Sequence, residues 1–267
     1  SGNVIISGQG TATQPIFVRG PSPTQKVKIP CATGVMGSYI IVENVDFDFT
    51  GKDIAFGFVD SDHVALRSSD VHGVRANSNG TVVVMQDSSD VVLYENSIFD
   101  NGDFSVAGEL DIHGVGGSNV WRVWVLNNEL YSNRGDSIQF GHNASNTLGD
   151  IYIAGNDMYD NGENSVDIKE ASNVVISQNK LHGDNPLGNV VLHDCPINAA
   201  VIYNEIYDES VGVSMASLES GCAGSPVSLF VLKNDFHDIG ETGVQGWGSG
   251  KRYFVAGNTF QSVATAI

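Results

Sequence analysis

The stretch Trp124-Val125-Leu126-Asn127-Asn128-Glu129-Leu130-Tyr131 decides the fold. It reads as an apolar strand, an Asn, any residue, an apolar residue and an aromatic. The phrase returns as IVEN ending at Asn44, LYENSIF around Asn96, YIAGNDMY around Asn156, VISQNKLH around Asn179, VIYNEIY around Asn204, VLKNDFH around Asn234 and VAGNTF around Asn258. Ser69, in VALRSSDVH, fills the remaining slot. Nine copies spaced 23 to 32 residues apart describe a solenoid, because one such unit cannot bury its apolar face and must stack on the next. Strand-rich, helix-poor units of variable period point to an all-β, single-domain right-handed parallel β-helix across residues 1–267, with nine to ten coils and an Asn ladder. The ladder Asn residues are expected to be structural: an Asn tolerates the backbone angles of a tight bend, and identical amides can bond from coil to coil.

The composition suits that body. Thirty-one Gly serve tight turns, and 41% apolar residues supply a continuous stacked core. A net charge of −18 argues against nucleic acid, whose phosphates would be repelled at long range. No apolar run reaches the roughly 18 residues of a membrane-spanning helix, so a membrane partner is not expected. The acidity keeps an edge-rich β protein in solution, or some carboxylates hold a cation such as Ca²⁺. Cys31, Cys195 and Cys222 form no disulfide framework; Cys195 and Cys222 lie about one repeat apart, so a bridge between adjacent coils is one option and burial as small apolar residues the other. The chain opens inside a strand, SGNVIISGQG, as a mature or excised product would. Residues 20–37 break the period and read as a flap or an irregular first coil.

Each coil carries a second strand whose residues alternate inward and outward. Aligned on their apolar positions, these read VVVMQ (82–86), LDIHG (110–114), IQFGH (138–142), VDIKE (166–170), VVLHD (190–194), VSMAS (213–217) and VQGWG (244–248). The second letters then face outward as Val83, Asp111, Gln139, Asp167, Val191, Ser214 and Gln245. The fourth letters give Met85, His113, Gly141, Lys169, His193, Ala216 and Trp247. Acids, bases and a small gap concentrate on the middle coils, joined from the turns by Asp136, Glu163, His142, Glu170 and Asp194. Any one of these is an ordinary solvated side chain; the group is the signal.

Lys169 and His193 fall on neighbouring rungs, with Asp167 two residues before Lys169. A desolvated Lys beside a His can have its pKa lowered enough to take a proton. The matching chemistry is β-elimination on a uronic-acid polymer: a base removes the proton at C5, cations or donors neutralise the carboxylate, and a nearby group assists the leaving oxygen. Lys169, His193 and His113 are the expected catalytic groups. Gln139, His142, Glu170, Asp194 and Trp247 are the expected substrate contacts.

The stretches 162–183 (GENSVDIKEASNVVISQNKLHG), 3–20 and 38–49 resemble secreted right-handed parallel β-helix proteins that act on polysaccharides, the pectate and alginate lyases above all. In one pectate-lyase branch a D-D-x-x-D cluster helps bind Ca²⁺ and a Lys is the base. The resemblance therefore implies a secreted lyase acting on an acidic polysaccharide, with Glu163 and Asp167, joined by Asp111 and Asp136, as possible Ca²⁺ ligands. Here an Asn and a Glu replace two Asp, Lys169 lies on the metal-bearing coil itself, and His193 takes the later position that the family's base occupies.

Two other readings stand beside it. A glycoside hydrolase or epimerase would use Asp111 and Asp167, two rungs apart on one face. A non-catalytic carbohydrate-binding module would rely on Trp247, Trp121 and Trp124; on every reading the chain is expected to be a monomer, and it fits a piece of a larger multidomain protein. A binding site would favour aromatics and amides over a Lys-His-Asp group, and that separates it from an enzyme.

Overall fold

The computed structural model describes residues 2–75, 79–105, 111–141, 148–184, 188–194, 196–215, 228–246 and 252–267. Among these are twenty-five strands in one sheet and no α-helix. The paired strands run parallel, each registered on its counterpart one coil later, as in Val120–Leu126 on Leu148–Ala154 and Gly149–Ala154 on Ser172–Ser177. The chain is a parallel β-solenoid of about eight turns. That is slightly fewer than the nine to ten coils read from the repeat, which also counts the incomplete terminal coils. No helix among the described residues is long and apolar enough to cross a membrane.

The core is a continuous stack of aliphatic and aromatic side chains that point inward from successive coils. Val115, Ile138, Val166, Val190 and Val213 form one fully buried column, while Phe47, Phe49, Phe56 and Phe58 fill the wider N-terminal coils. Parallel strands place like residues over like, so each coil buries its apolar face on both neighbours.

The amide ladder runs from Ser69 through Asn96, Asn128, Asn156, Asn179, Asn204 and Asn234 to Asn258. Each Asn Oδ1 accepts from the backbone N–H and, above Ser69, the side-chain N–H of its counterpart one coil earlier. Backbone strain is not its purpose. The left-handed residue at each bend is the one before the ladder Asn: Glu95, Asn127, Gly155, Gln178, Tyr203 and Lys233 all have φ between 53° and 68°. Asn44, with φ 58°, is one of these bend residues; Val45, whose N–H meets Ser69 Oγ, stands in the ladder slot.

Five residues after each ladder position lies a second ladder. Asn101, Asn133 and Asn161 bond one to the next and end on Asp184 Oδ1. Outside, His72, Phe99, Tyr131, Tyr159, His182, Tyr207 and His237 stack with centroids 4.6–5.2 Å apart. These rings spend their faces on each other, which explains the aromatic or His that closes each repeat. Residues 20–37 form the irregular first coil: Ser22 and Gln25 close a turn, Val27–Lys28 pairs with Val45–Asp46, and Thr33–Ser38 begins the next coil.

Candidate functional site

The outward side chains of the strands Ile138–Phe140, Val166–Lys169 and Val190–His193 form one polar face. Gln139 pairs with Asp167 and Lys169 with His193, as the sequence alignment placed them. Two other rows of that alignment shift. Val115, and not Leu110, stands on Ile138, so Gly116 and not Asp111 precedes Gln139. Val83 and Met85 are core residues, and Val84 faces outward. The cause is plain: Val115-Gly116-Gly117 offers a single apolar side chain, so the apolar pattern around Ile112 imitates a strand register that the glycines hide.

The shift removes Asp111 and His113 from the Asp167 and Lys169 columns but keeps His113 in the site. Two residues before Val115, it lies level with Asp136 on the next coil. Its Nδ1 is 3.1 Å from Asp136 Oδ2 and also 3.1 Å from the Asp136 backbone N. Gly135 makes room for it, since a Cβ there would sit 2.7 Å from His113 Nδ1. The two contacts ask for opposite things of Nδ1, an acceptor for the amide and a proton for the carboxylate. Burial opposes charging His113, but the Asp136 carboxylate outweighs it and holds the imidazole above its ordinary pKa.

Asp136 is wholly buried and fully engaged. Its Oδ1 accepts from the Asn164 backbone N–H at 3.0 Å and from Asn164 Nδ2 at 2.7 Å. Its Oδ2 accepts from Gln139 Nε2 at 2.9 Å. Gln139 also donates to Asp167 Oδ2 at 3.3 Å. Asp167, 4% exposed, lies 3.1 Å from Lys169 Nζ through Oδ2 and 2.8 Å from His193 Nε2 through Oδ1. The 2.8 Å approach is an ion-pair contact whose alignment falls short of a hydrogen bond, leaving Oδ1 without a hydrogen-bond donor. A continuous polar line thus runs from His113 through Asp136, Gln139 and Asp167 to Lys169 and His193.

Lys169 differs from expectation. Burial would lower its pKa, but Asp167 outweighs burial and holds it above the ordinary value, so the free protein carries an ammonium there. His193 is raised in the same way, burial working against Asp167. Glu163 is pushed up to about 7, first by burial and then by Asp136 and Asp111. Gly141, at φ 99°, is required where it stands, because a Cβ would lie 1.9 Å from Lys169 O.

The remaining expected contacts divide. Glu170 and Asp194 follow Lys169 and His193 at left-handed corners, with φ 55° and 60°, and Asp194 Oδ1 is 3.5 Å from His193 Nδ1. His142 and Trp247 lie outside the described residues, as do Cys195 and Cys222; Cys31 is a free thiol. Asp111 accepts from Asn79 Nδ2 at 3.5 Å, four residues before Val115, and does not pair with Asp167. Asn164 is the contributor that sequence reasoning passed over. It stands where the lyase pattern has an acid, and here it clamps Asp136.

Of the four expected metal ligands, Asp136 and Glu163 converge with His113, each offering an atom within 4.8 Å of the others. Asp111 and Asp167 are not in that group. Ca²⁺ takes six to eight oxygens, and a set with one nitrogen, whose Asp136 oxygens already accept three hydrogen bonds, does not fit it.

No protein-family model and no curated protein matches the chain. Solved structures share its fold. The alginate lyase from Paenibacillus sp. str. FPU-7 matches with a TM-score of 0.68 at 14% identity, covering 99% of this chain and 90% of that one. The mannuronan C-5 epimerase AlgE4 A-module of Azotobacter vinelandii matches at 0.59 and 15% identity, covering 99% and 88%. The Dettilon tailspike protein matches at 0.65 and 14% identity over 95% of this chain, which spans 60% of the tailspike's length. The fold is that of right-handed parallel β-helix proteins, among them pectate and alginate lyases, epimerases and tailspikes.

Proposed function

We propose that the chain acts on a uronic-acid polysaccharide and breaks the C5–H bond of a bound uronate, cleaving the chain by β-elimination. One observation carries the reading: the buried His113–Asp136 pair and the Lys169 ammonium stand at the two ends of one line of ion pairs and hydrogen bonds. Of the two contacts at Nδ1 the reading requires the carboxylate's, not the Asp136 amide's: with the Nδ1 proton turned to Asp136 Oδ2, 3.1 Å away, a neutral His113 presents a bare Nε2, the arrangement of an oriented general base. Lys169 and Gln139 supply positive charge and an N–H for the uronate carboxylate, whose negative charge builds up as C5 loses its proton. The protonated His193 then gives its proton to the departing O4. In balance, C5–H and C4–O4 break, the C4=C5 double bond forms, His113 gains a proton and His193 loses one.

This assigns Lys169 to charge neutralisation and His113 to the base, whereas the sequence reading puts the base at Lys169 and names His113 only as a catalytic group. A protonated ammonium cannot accept a proton, whereas an imidazole titrates near neutrality. The likeness in fold to an alginate lyase and a mannuronan epimerase supports a uronate substrate, because both names imply a polymer with an acidic C5 proton. The experiment is incubation with a panel of uronans while ultraviolet absorbance of an unsaturated uronate and new reducing ends are followed together. Absorbance rising with reducing ends supports elimination; reducing ends without absorbance overturn it in favour of hydrolysis.

A further inference from the structure

Around the corner from the polar face, the described residues line a shallow, open groove of about 520 Å³. Asp60, Asp62, Asp87, Ser88, Ser89 and Trp121 supply most of its wall. Trp121 pairs with Ser89 on the coil before and with Gly149 on the coil after. A Cβ on Gly149 would lie 2.4 Å from Trp121 Cζ3, so the indole leans onto that bare glycine. Small side chains at Ser88 and Ser89 leave the space on its other side open.

From this groove we infer that the protein binds an uncharged pyranose residue against Trp121, at a site apart from the uronate bound on the polar face. The inference rests on the polysaccharide reading in placing that sugar within the same polymer. An aromatic plate with a few polar groups beside it is how a shallow surface takes an amphipathic ring. The charge selects the sugar. Three carboxylates line the groove and no Lys or Arg does. A uronate would be repelled there, whereas hydroxyl groups donate to carboxylates. Two of the three are already steadied, Asp87 by Asn119 Nδ2 at 2.9 Å and Asp62 by His63 Nδ1 at 2.8 Å, so the acceptors are held in place and not gathered around a cation.

The strand Ile112–Leu126 carries His113 at one end and Trp121 beyond the bend at Asn119, so one strand joins the proposed base to the groove. Eight strand residues span roughly 26 Å at about 3.3 Å each, so the substrate is a heteropolysaccharide whose uncharged residue lies several sugars from the reacting uronate or on a branch.

The test is titration of the protein with neutral oligosaccharides and, separately, with oligouronates, read by tryptophan fluorescence and calorimetry. Neutral oligosaccharides should saturate a site that Trp121→Ala weakens at least tenfold. Asp60→Asn combined with Asp87→Asn should weaken it at least threefold; Asn tolerates the left-handed corners at Asp60 and Asp87, φ 47° and 49°, so this variant keeps the fold if Trp121→Ala does not. Absence of saturable binding to every neutral oligosaccharide, undiminished affinity in both variants, or equal quenching by oligouronates would overturn the inference. Binding of neutral sugars with no turnover of any uronan would sink the proposed function and leave the groove standing, so the two readings fail separately.

Discussion

Replacing Asp136 by Asn separates the proposed dyad from ordinary structure. At Oδ1 the carboxylate takes two donors from Asn164, at 3.0 and 2.7 Å, so the amide oxygen must occupy that side. Its NH₂ therefore falls where Oδ2 was, 2.9 Å from Gln139 Nε2 and 3.1 Å from His113 Nδ1. Towards Gln139 it meets a donor with a donor, and a charge-assisted hydrogen bond worth about 1.5–3 kcal/mol is lost. Towards His113 it donates to Nδ1 and leaves the imidazole proton on Nε2, the atom that would have to accept from C5.

Stability should then fall by about 2 kcal/mol, while the rate falls about 10²–10⁴-fold, the usual contribution of a general base. The carboxylate is also what raises His113 above its ordinary pKa against burial, so any residual activity should keep its acid limb at lower pH than the wild type. Initial rates by unsaturated-uronate absorbance across pH, with thermal melts on the same samples, give both quantities. A rate within tenfold of wild type, alongside the expected loss of stability, would refute the dyad and leave Asp136 a purely structural residue.

Three further substitutions probe the rest. Lys169→Met should cost at least about 10²-fold in activity through lost charge neutralisation while circular dichroism stays native, because the side chain lies outside the core; full activity would remove it from the site. Asn128→Ala strips the Asn96 backbone N–H and the Leu93 carbonyl of buried partners, which at about 1–3 kcal/mol each should lower stability by roughly 2–5 kcal/mol in urea titration; a loss below 1 kcal/mol would contradict the ladder's role. Burial lifts Asp184 to about 7 and Glu209 to about 9, with Asp136 adding to the first and Asp184 to the second. Both lie above their unfolded values, so the native state binds the extra protons, and stability should be full below about pH 4 and fall as pH rises towards 9. Glu209→Gln should flatten that decline in melts at pH 5 and 9, and an unchanged slope would rule the pair out as its source.

The fold was legible because a solenoid writes itself into the sequence once per coil. Asn96, Asn128, Asn156 and their counterparts each bond to the next, and one pattern therefore repeats. The second ladder was equally visible at a constant offset of five, Asn96 to Asn101 and Asn128 to Asn133, but it degrades to Asp184 and Glu209 and loses its signature. The site was legible where strands carry side chains: Gln139, Asp167, Lys169 and His193 fell into their true columns. It failed where glycine carries the strand. Gly114, Gly116 and Gly117 gave no apolar signal, so Asp111 and His113 were set against the wrong partners. Protonation was the least legible part, since the pairing of Lys169 with Asp167 depends on which side of a pleat two residues share and on how much water reaches them.

The most direct measurement is mass spectrometry of a uronan incubated with the protein in D₂O. If C5–H is broken on this face with elimination at C4, the fragments carry an unsaturated end and are lighter by one water than the products of hydrolysis, and His113 and Asp136 variants do not form them. Fragments that have gained a water and hold no unsaturation, or a polymer recovered unbroken and without deuterium at C5, would contradict the account.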